Sequence, residues 1–238
     1  MDAVEDLRFR DRALLLEDTL VLADLHVGRG ADSDVEIPVG DGSDMVERFE
    51  ALLGRFEPGE VVVAGDLLHS FRTVPRTVRE TVDGLAAAAH EAGVRLVVTP
   101  GNHDTMLDSV WEGPTPDSYR AGDTVVCHGH VAPGDGESDG PGDGVGRYIV
   151  GHDHPTITIE GKRRPCYLAG EGVYRGTDVV MLPTFNRLLQ GVEVNGMSAA
   201  DFMSPFMPDA DAFAPVVRDE TADETLTFPP LGDFRHRL

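Results

Sequence analysis

Five short polar segments follow one another along the chain, and together they hold the side chains that a two-metal hydrolytic centre needs. Seven of the nine histidines lie in these segments. Imidazole, carboxylate and amide ligands without thiolates favour Mn, Fe or Zn over calcium or a structural zinc-thiolate site. The pattern therefore predicts a metal centre and an enzyme. The segments are Asp24-Leu25-His26, Gly65-Asp66-Leu67-Leu68-His69, Gly101-Asn102-His103-Asp104, His128-Gly129-His130 and Gly151-His152-Asp153-His154.

A pair of divalent ions would suit phosphoryl chemistry. Two ions about 3.5–4 Å apart can hold a bridging hydroxide and clamp the oxygens of an in-line displacement, and binding brings the pKa of water toward roughly 7. Asp66 follows a glycine that permits a sharp turn, and its two oxygens can bridge two ions. The leaving alkoxide needs a proton, which His103, beside Asn102, is placed to donate. Asp104 is expected to orient the His103 ring and keep it protonated.

Each segment by itself is a weak signal. Asp-x-His occurs by chance, and Gly-Asn is also an ordinary turn dipeptide. The His128/His130 and His152/His154 pairs could each hold a single metal or be satisfied polar residues. The five together, in this order and each at the end of an apolar run, favour one shared metal centre.

Apolar runs bounded by turn residues predict the strands that position these segments. Apolar side chains at helical spacing predict helices at Met45 to Phe56 and Val78 to Ala89, the second with a capping box of Thr77 and Glu80. The β-α-β-α-β order predicts a parallel sheet with right-handed crossovers, and the later runs predict a second sheet packed on it. The runs are Ala13 to Leu16, Leu20 to Ala23, Val61 to Ala64, Val94 to Val98, Thr124 to Cys127, Tyr148 to Val150, Thr156 to Glu160, Cys166 to Ala169 and Val179 to Leu182, with a further possible strand at Thr225 to Phe228.

The predicted strands also indicate how the ligands meet. The carboxyl ends of strands in α/β sheets are where sites assemble. Alternate residues of an extended segment face the same way, so we expect Asp24 to converge with His26, and His152 with His154.

The composition is strongly acidic. The 238 residues carry a formal net charge of −22, and Lys162 is the only lysine. High net charge keeps halophilic proteins dispersed, so we interpret the composition as salt adaptation. The same charge argues against broad non-specific binding to nucleic acid, which needs clustered Lys and Arg. Two arginine-rich clusters, Arg72/Arg76/Arg79 and Lys162 to Arg164, are expected to be solvated faces.

Other features bound the class of protein. Cys127 and Cys166 lack CxxC spacing, which predicts two buried small hydrophobes rather than a disulfide or a zinc site. No apolar run approaches membrane-spanning length and the start is acidic, so a cytoplasmic protein is expected. The Gly- and Asp-rich stretch from Pro133 to Gly146 predicts a surface loop.

From about residue 20 to 155 the five segments resemble the signature of the calcineurin-like metallophosphoesterase superfamily. The resemblance implies an α/β fold, a four-layer αββα sandwich of two mixed sheets flanked by helices, with two divalent metal ions, Mn in first place and Fe or Zn as alternatives. It implies His103 as the catalytic histidine with Asp104 as its partner, whereas His69 and His130 are not among the implied ligands. The implied ligands are Asp24, His26 and His154 for one ion, Asn102, His128 and His152 for the other, and Asp66 between them.

A closer resemblance is to the Icc-like predicted phosphoesterases, some bacterial members of which are associated with DNA ligase genes. Together with the composition it suggests a halophilic archaeal source. The matching runs are Val21 to Gly28, Ile37-Pro38, Gly65 to Phe71 and Leu182-Pro183-Thr184-Phe185-Asn186.

These observations predict a metallophosphoesterase domain over residues 1–196 and a partly irregular C-terminal extension over 197–238. The expected activity is phosphodiester hydrolysis by a metal-bridging hydroxide with His103 as general acid. The substrate is expected to be a phosphate ester, either a small molecule or a nucleic-acid end, and Arg29 or Arg72 could assist its phosphate. The alternatives are a DNA-repair nuclease, which would need a basic groove, and a non-catalytic metal-binding scaffold.

Overall fold

The structure of the chain, a computed structural model, describes residues 2–29, 42–69, 72–132 and 144–237. Three features of the sequence fall outside these residues. They are the Ile37-Pro38 dipeptide, the Ser70-Phe71 end of the Gly65 to Phe71 run, and residues 133–143 of the Gly- and Asp-rich stretch.

The first sheet has five strands in the spatial order β1-β2-β3-β4-β5. Strands β3, β4 and β5 are parallel, as their helical connections predict, and β1 and β2 extend the sheet as an antiparallel meander. Side chains alternate between the two faces, so that Val61 and Val63 point to one side of the sheet and Val62 and Ala64 to the other. The strands are β1 (Leu7–Arg10), β2 (Ala13–Leu16), β3 (Thr19–Leu22), β4 (Glu60–Ala64) and β5 (Arg95–Thr99).

Helices α1 (Ser43–Phe56) and α2 (Arg76–Glu91) cover the outer face of this sheet. Each buries the apolar stripe that the sequence predicts. The expected capping box of α2 is wrong, because the helix begins at Arg76, before Thr77, and no side chain caps its N-terminus. Glu80 instead accepts a hydrogen bond of 2.7 Å from Arg76 Nε on the helix surface.

The second sheet has seven strands in the order β15-β14-β11-β12-β8-β7-β6. Strands β7, β8 and β12 are parallel to one another and the remaining pairs are antiparallel, which makes the sheet mixed. A third, smaller sheet has three strands in the order β10-β9-β13. The strands are β6 (Tyr119–Ala121), β7 (Thr124–Cys127), β8 (Arg147–Val150), β9 (Pro155–Ile159), β10 (Lys162–Pro165), β11 (Tyr167–Tyr174), β12 (Thr177–Met181), β13 (Val192–Glu193), β14 (Ala214–Asp219) and β15 (Glu224–Thr227).

The two sheets pack face to face through one apolar layer, in which Val21 and Val62 of the first sheet join Val126, Ile149 and Val180 of the second. The predicted mixed α/β architecture is therefore confirmed. The outer face of the second sheet is covered by short 3-10 turns and by the four-residue helix α3 (Leu231–Phe234), which carry buried side chains such as Ala210 and Leu231, and by Phe206, which lies between them and β12 in the chain. Cys127 and Cys166 are free and buried, as expected.

Candidate metal centre

The candidate ligands lie at the carboxyl ends of parallel strands in both sheets. Asp24 and His26 follow β3, Asp66 follows β4, and Asn102 follows β5. From the second sheet, His128 follows β7, and His152 and His154 follow β8. Because the two sheets pack face to face, these ends lie at one edge of the sandwich, where the polar segments meet.

One group of ligand atoms comprises Asp24, His26 and His154, whose side chains offer ligand atoms within 4.8 Å of one another. The Nε2 atoms of His26 and His154 are 3.2 Å apart, and His154 Nε2 is 3.3 Å from Asp24 Oδ1. Asp24 is fully buried, and its Oδ1 has no hydrogen-bond partner among the described residues. A buried carboxylate oxygen in this state is suited to a cation.

A second group comprises Asp24, Asp66 and His128. His128 Nδ1 lies 3.2 Å from the carbonyl oxygen of Ala64, which can only accept, so this nitrogen carries the proton. The lone pair of His128 therefore resides on Nε2, which is 3.1 Å from both Asn102 Oδ1 and His152 Nδ1. Fixing the tautomer through the other ring nitrogen is how proteins prepare a histidine for a metal.

Asp66 connects the two groups. Its Oδ2 is 3.5 Å from His26 Nε2 and also 3.5 Å from His128 Nε2. Its Oδ1 accepts a hydrogen bond of 2.9 Å from the backbone N–H of His103. The carboxylate thus lies between the histidines of the first sheet and those of the second.

Two further histidines lie on the open side of this cluster. The ring of His103 meets the ring of His26 edge-on at 5.1 Å and stacks with that of His69 at 5.8 Å. His26, His69 and His103 also bring ligand atoms within 4.8 Å of one another, and Arg29 Nη1 is 3.2 Å from His69 Nε2. His130 lies on the other side, 5.1 Å from the ring of His128.

The candidate ligands converge, but their backbone conformation differs from the extended one that the spacing suggested. The backbone is left-handed at five of them, which costs on the order of 1–3 kcal/mol per residue. The expectation of extended chain with alternate residues on one face is therefore wrong, although the side chains do meet. The five are Asp24 (φ 53°), His26 (φ 42°), Asp66 (φ 47°), His152 (φ 82°) and His154 (φ 50°).

Two glycines next to ligands allow this close approach. Gly65 has φ 76°, and a Cβ there would overlap the ring of His128. A Cβ at Gly101 would overlap the carboxylate of Asp66 and lie 2.5 Å from its backbone nitrogen. The glycines in these segments therefore leave space for ligands from neighbouring strands.

Buried side chains far along the sequence hold the strained backbone after β3. Thr184 Oγ1 donates a hydrogen bond of 2.6 Å to the carbonyl oxygen of Asp24. Asn186 Nδ2 donates to the carbonyl oxygens of Leu25, at 2.9 Å, and His26, at 3.3 Å. Thr184 and Asn186 belong to the run Leu182 to Asn186, which carried part of the family resemblance but had no predicted role. In the structure they hold the backbone of the turn that carries Asp24 and His26.

We expect Asn186→Ala to lower the affinity for divalent metal by about 10–100-fold, the usual effect of removing a group that orients a ligand. The substitution removes the side-chain donor from the carbonyl oxygens of Leu25 and His26, of which His26 keeps the backbone N–H of Arg29, and it frees the strained turn that carries Asp24 and His26. Competition with a chelating dye measures the affinity. Arg187→Ala, at the exposed neighbouring position, is the matched control. Equal affinities for the two variants would contradict the role of Asn186.

Two buried aspartates fix the ligand loops through backbone amides. Asp104 accepts hydrogen bonds from the backbone N–H groups of Leu67, Leu68 and Gly101, at 3.3, 2.8 and 2.8 Å. It thereby ties the loop after β4 to the loop after β5. The predicted role of Asp104 in orienting His103 stays a prediction beside this observed one.

The second of these aspartates is Asp153, between His152 and His154. Its carboxylate accepts from the backbone N–H groups of Met203, at 2.9 Å, and Ser204, at 3.0 Å. Ser204 Oγ in turn donates to the carbonyl oxygen of Gly129. The C-terminal segment therefore holds two of the ligand loops.

Burial shifts the titration of the ligands. Burial raises the pKa of Asp66 to about 8, against the backbone N–H of His103, which lowers it. Burial lowers the pKa of His26 to about 3 and that of His128 to about 4. At neutral pH these imidazoles are neutral and able to bind metal, whereas the metal-free Asp66 still holds a proton.

We therefore expect metal binding to release the proton of Asp66. With a folded-state pKa of about 8, the apparent metal affinity should rise about tenfold per pH unit below that value and level off above it. Titration calorimetry with Mn²⁺ from pH 6 to 9, in buffers of different ionisation enthalpy, measures the affinity and the released proton. An affinity that does not change with pH below 8 would contradict this expectation.

The donor set fits divalent cations. It combines carboxylate oxygens, an amide oxygen and imidazole nitrogens, and it includes a buried carboxylate oxygen without a hydrogen bond and a histidine whose tautomer presents its lone pair. Such mixed O and N ligands suit first-row ions. All seven predicted ligands and His103 meet at this edge of the sandwich.

Comparisons with known proteins identify a family model and solved structures to which the chain is similar. Residues 18–130 match the family model described as Metallophos, calcineurin-like phosphoesterase. A crystal structure of the nuclease MPE from Pseudomonas putida is similar over 92% of both chains, with 19% identity and a TM-score of 0.61. YfcE, a phosphoesterase from E. coli, is similar over 89% of this chain and 98% of its own, with 14% identity and a TM-score of 0.44. No curated protein matches the sequence.

The family match covers four of the five polar segments, and the structure adds His152 and His154 of the fifth. None of the helices in the described part of the chain has the length and apolar character to cross a membrane. The match and the converging ligands point to the same chemistry. The chain is therefore a metal-dependent phosphoester hydrolase, whose residues 18–130 are similar to the calcineurin-like phosphoesterase model.

Proposed function

We propose that the protein hydrolyses phosphodiesters at a centre of two divalent ions, with His103 as general acid. The position of Asp66 is the observation that carries this proposal. One of its oxygens is 3.5 Å from His26 Nε2 and 3.5 Å from His128 Nε2, so that a single carboxylate serves two groups of ligands. A bridging carboxylate of this kind is what a dinuclear centre requires.

The ligand groups divide the site between two ions, for which we propose Mn²⁺. The ions, when bound, supply a water of lowered pKa and positive charge for the phosphoryl oxygens. Every ligand position that the resemblance implies carries a side chain able to bind metal, which supports catalysis over a scaffold role. Asp24, His26 and His154 would hold one ion, Asn102, His128 and His152 the other, and Asp66 would contribute to both.

His103 is placed to protonate the leaving oxygen. Its backbone N–H donates to Asp66, which ties its position to the metal centre, and its half-exposed ring lies against His26 on the open side. A diester leaves as an alkoxide, and protonation of that oxygen is the step for which a positioned imidazole is suited.

The surroundings favour a substrate of low charge. Arg29, exposed beside His69, can meet the single negative charge of a diester. Within the Arg72/Arg76/Arg79 cluster, Arg76 pairs with Glu80, and Arg79 donates to the carbonyl oxygen of Ser109. With a net charge of −22, a small diester is a better substrate than a long nucleic acid.

A nuclease is the second candidate. The similarity to the Pseudomonas putida protein, which is a nuclease, favours it, and a nucleic-acid end presents the same phosphodiester to the metal centre. It differs from the first candidate in needing contacts along a strand, so the two respond differently to substrate length.

The proposal is tested by hydrolysis of bis-p-nitrophenyl phosphate and p-nitrophenyl phosphate in molar KCl, with Mn²⁺ or with EDTA. We expect metal-dependent turnover with preference for the diester. A single-stranded oligonucleotide of equal phosphodiester concentration separates the candidates, since faster cleavage of the oligonucleotide would favour the nuclease. Absence of turnover on every substrate by folded, Mn²⁺-loaded protein would contradict phosphodiesterase activity.

A further inference from the structure

A cavity of about 540 Å³ opens between strand β1 of the first sheet and the β14–β15 hairpin of the second. We call it the arginine groove. Its walls include four arginines, Arg8, Arg10, Arg55 and Arg218, together with Phe56 and Thr225. None of the residues that line it is a ligand of the metal centre. Its volume is within the range of roughly 300–1,000 Å³ that is usual for small-molecule sites.

The charge of the groove is opposite to that of the protein. The chain has 42 acidic residues and 20 basic ones, yet the residues that line the groove include four arginines and a single acid, Asp223. A concave site of one sign concentrates ligands of the other sign. In so acidic a chain, this grouping of arginines indicates an anion site.

Two of the arginines are already neutralised. Arg10 contacts Glu220 at 2.9 Å and Asp223 at 2.6 Å, and Arg218 also pairs with Asp223. These four side chains form a network of equal positive and negative charge. Arg218 Nε is buried without a hydrogen bond among the described residues, and its ion-pair distance to Glu220 Oε1 is 3.6 Å.

The other two arginines keep their charge available. Across the ranges that the structure describes, neither Arg8 nor Arg55 forms a salt bridge, although both are exposed. The guanidinium of Arg8 lies 5.3 Å from the centre of the Phe56 ring, and Phe56 follows Arg55 in the chain. Arg8, Arg55 and this aromatic ring all line the groove.

We propose that the arginine groove binds a phosphate monoester with a flat organic body, of the size of a nucleoside monophosphate. The guanidinium forks of Arg8 and Arg55 match the oxygens of a dianionic phosphate. Phe56 and the apolar side chains Val4 and Leu7 of the same lining supply a wall for the organic body, and Thr225 offers a hydroxyl. This ligand site is separate from the metal centre and does not depend on the proposed activity.

Titration calorimetry with adenosine 5′-monophosphate and with inorganic phosphate tests the proposal. The full chain is used in EDTA, so that phosphate cannot bind through metal, at low and at molar KCl. The test variant is Arg8→Gln/Arg55→Gln. The matched control is Arg76→Gln/Arg95→Gln, which makes the same charge change at exposed arginines outside the groove.

We expect the nucleotide to bind more tightly than phosphate, and its affinity to fall at least about tenfold in the test variant, because two charge-assisted contacts are lost. The control variant should bind like the wild type. Far-ultraviolet circular dichroism and thermal melting verify that each variant is folded. The proposal is overturned if the nucleotide does not bind, if it binds no better than phosphate, or if the control variant loses as much affinity as the test variant.

Discussion

Replacing Asp66 with asparagine is expected to abolish turnover and to remove the stabilisation that Mn²⁺ gives the wild type. Asparagine keeps the size of the side chain, and its amide oxygen can still accept from His103. It cannot supply the anionic oxygen that lies 3.5 Å from both His26 Nε2 and His128 Nε2. Both proposed ion positions lose a ligand at once, so the effect should exceed that of substituting His152 or His154, each of which is assigned to one position.

The same variant should be more stable than the wild type when both are metal-free. The pKa of Asp66 rises from 3.8 to about 8 in the folded protein. Between these values the unfolded chain has lost a proton that the folded chain keeps, so wild-type stability falls as pH rises. The asparagine side chain of the variant has no such proton to lose. The stability difference should therefore grow as pH rises from about 4 to 8.

Thermal unfolding with EDTA and with Mn²⁺, beside the activity assay, measures both effects. Asp108→Asn makes the same chemical change at an exposed position and is the matched control. Mn²⁺-dependent turnover in the Asp66 variant would show that the two groups of ligands do not share this carboxylate.

His103→Gln is expected to slow hydrolysis of an alkyl phosphodiester by about 10²–10⁴-fold, the contribution of a positioned general acid. The loss should be much smaller for bis-p-nitrophenyl phosphate, because p-nitrophenolate leaves without being protonated. Metal affinity should not change, since glutamine leaves the backbone N–H that donates to Asp66 in place.

The comparison of kcat between the two leaving groups is the decisive measurement, with His90→Gln, exposed on α2, as control. An equal loss on both substrates would indicate that His103 does not act as the acid. A loss of metal affinity would instead make His103 a ligand, which its closeness to His26 and His69 permits.

Much of the fold could be predicted because its strands are buried on both faces. Runs such as Val61 to Ala64 are continuously apolar, and both sides of the strand pack in a core. Strand β14 was not predicted, because Pro215 and the flanking charges of Arg218 and Asp219 obscure its short apolar run. It is specified by its pairing with β11, which is distant in sequence.

The residues of the site could be predicted from the sequence, whereas the side chains that hold its loops in place could not. Residue types and strand ends identify the ligands, since each must follow an apolar run. The left-handed turns at Asp24 and His26 depend on Thr184 and Asn186, about 160 residues away. Asp153 likewise bonds an amide 51 residues distant, at Ser204. No local pattern encodes such partners.

The proposed metal centre takes its candidate ligands from both sheets, and this has a consequence for unfolding. A bound ion would join His26 to His154, which lie 128 residues apart in the chain. Such a cross-link closes more than half of the polypeptide into a loop and restricts the denatured ensemble as a disulfide would, an entropic effect on the order of 4–5 kcal/mol for loops of this length. Bound ions would thus stabilise the folded chain against unfolding, and a chelator would remove this stabilisation together with the reactive centre.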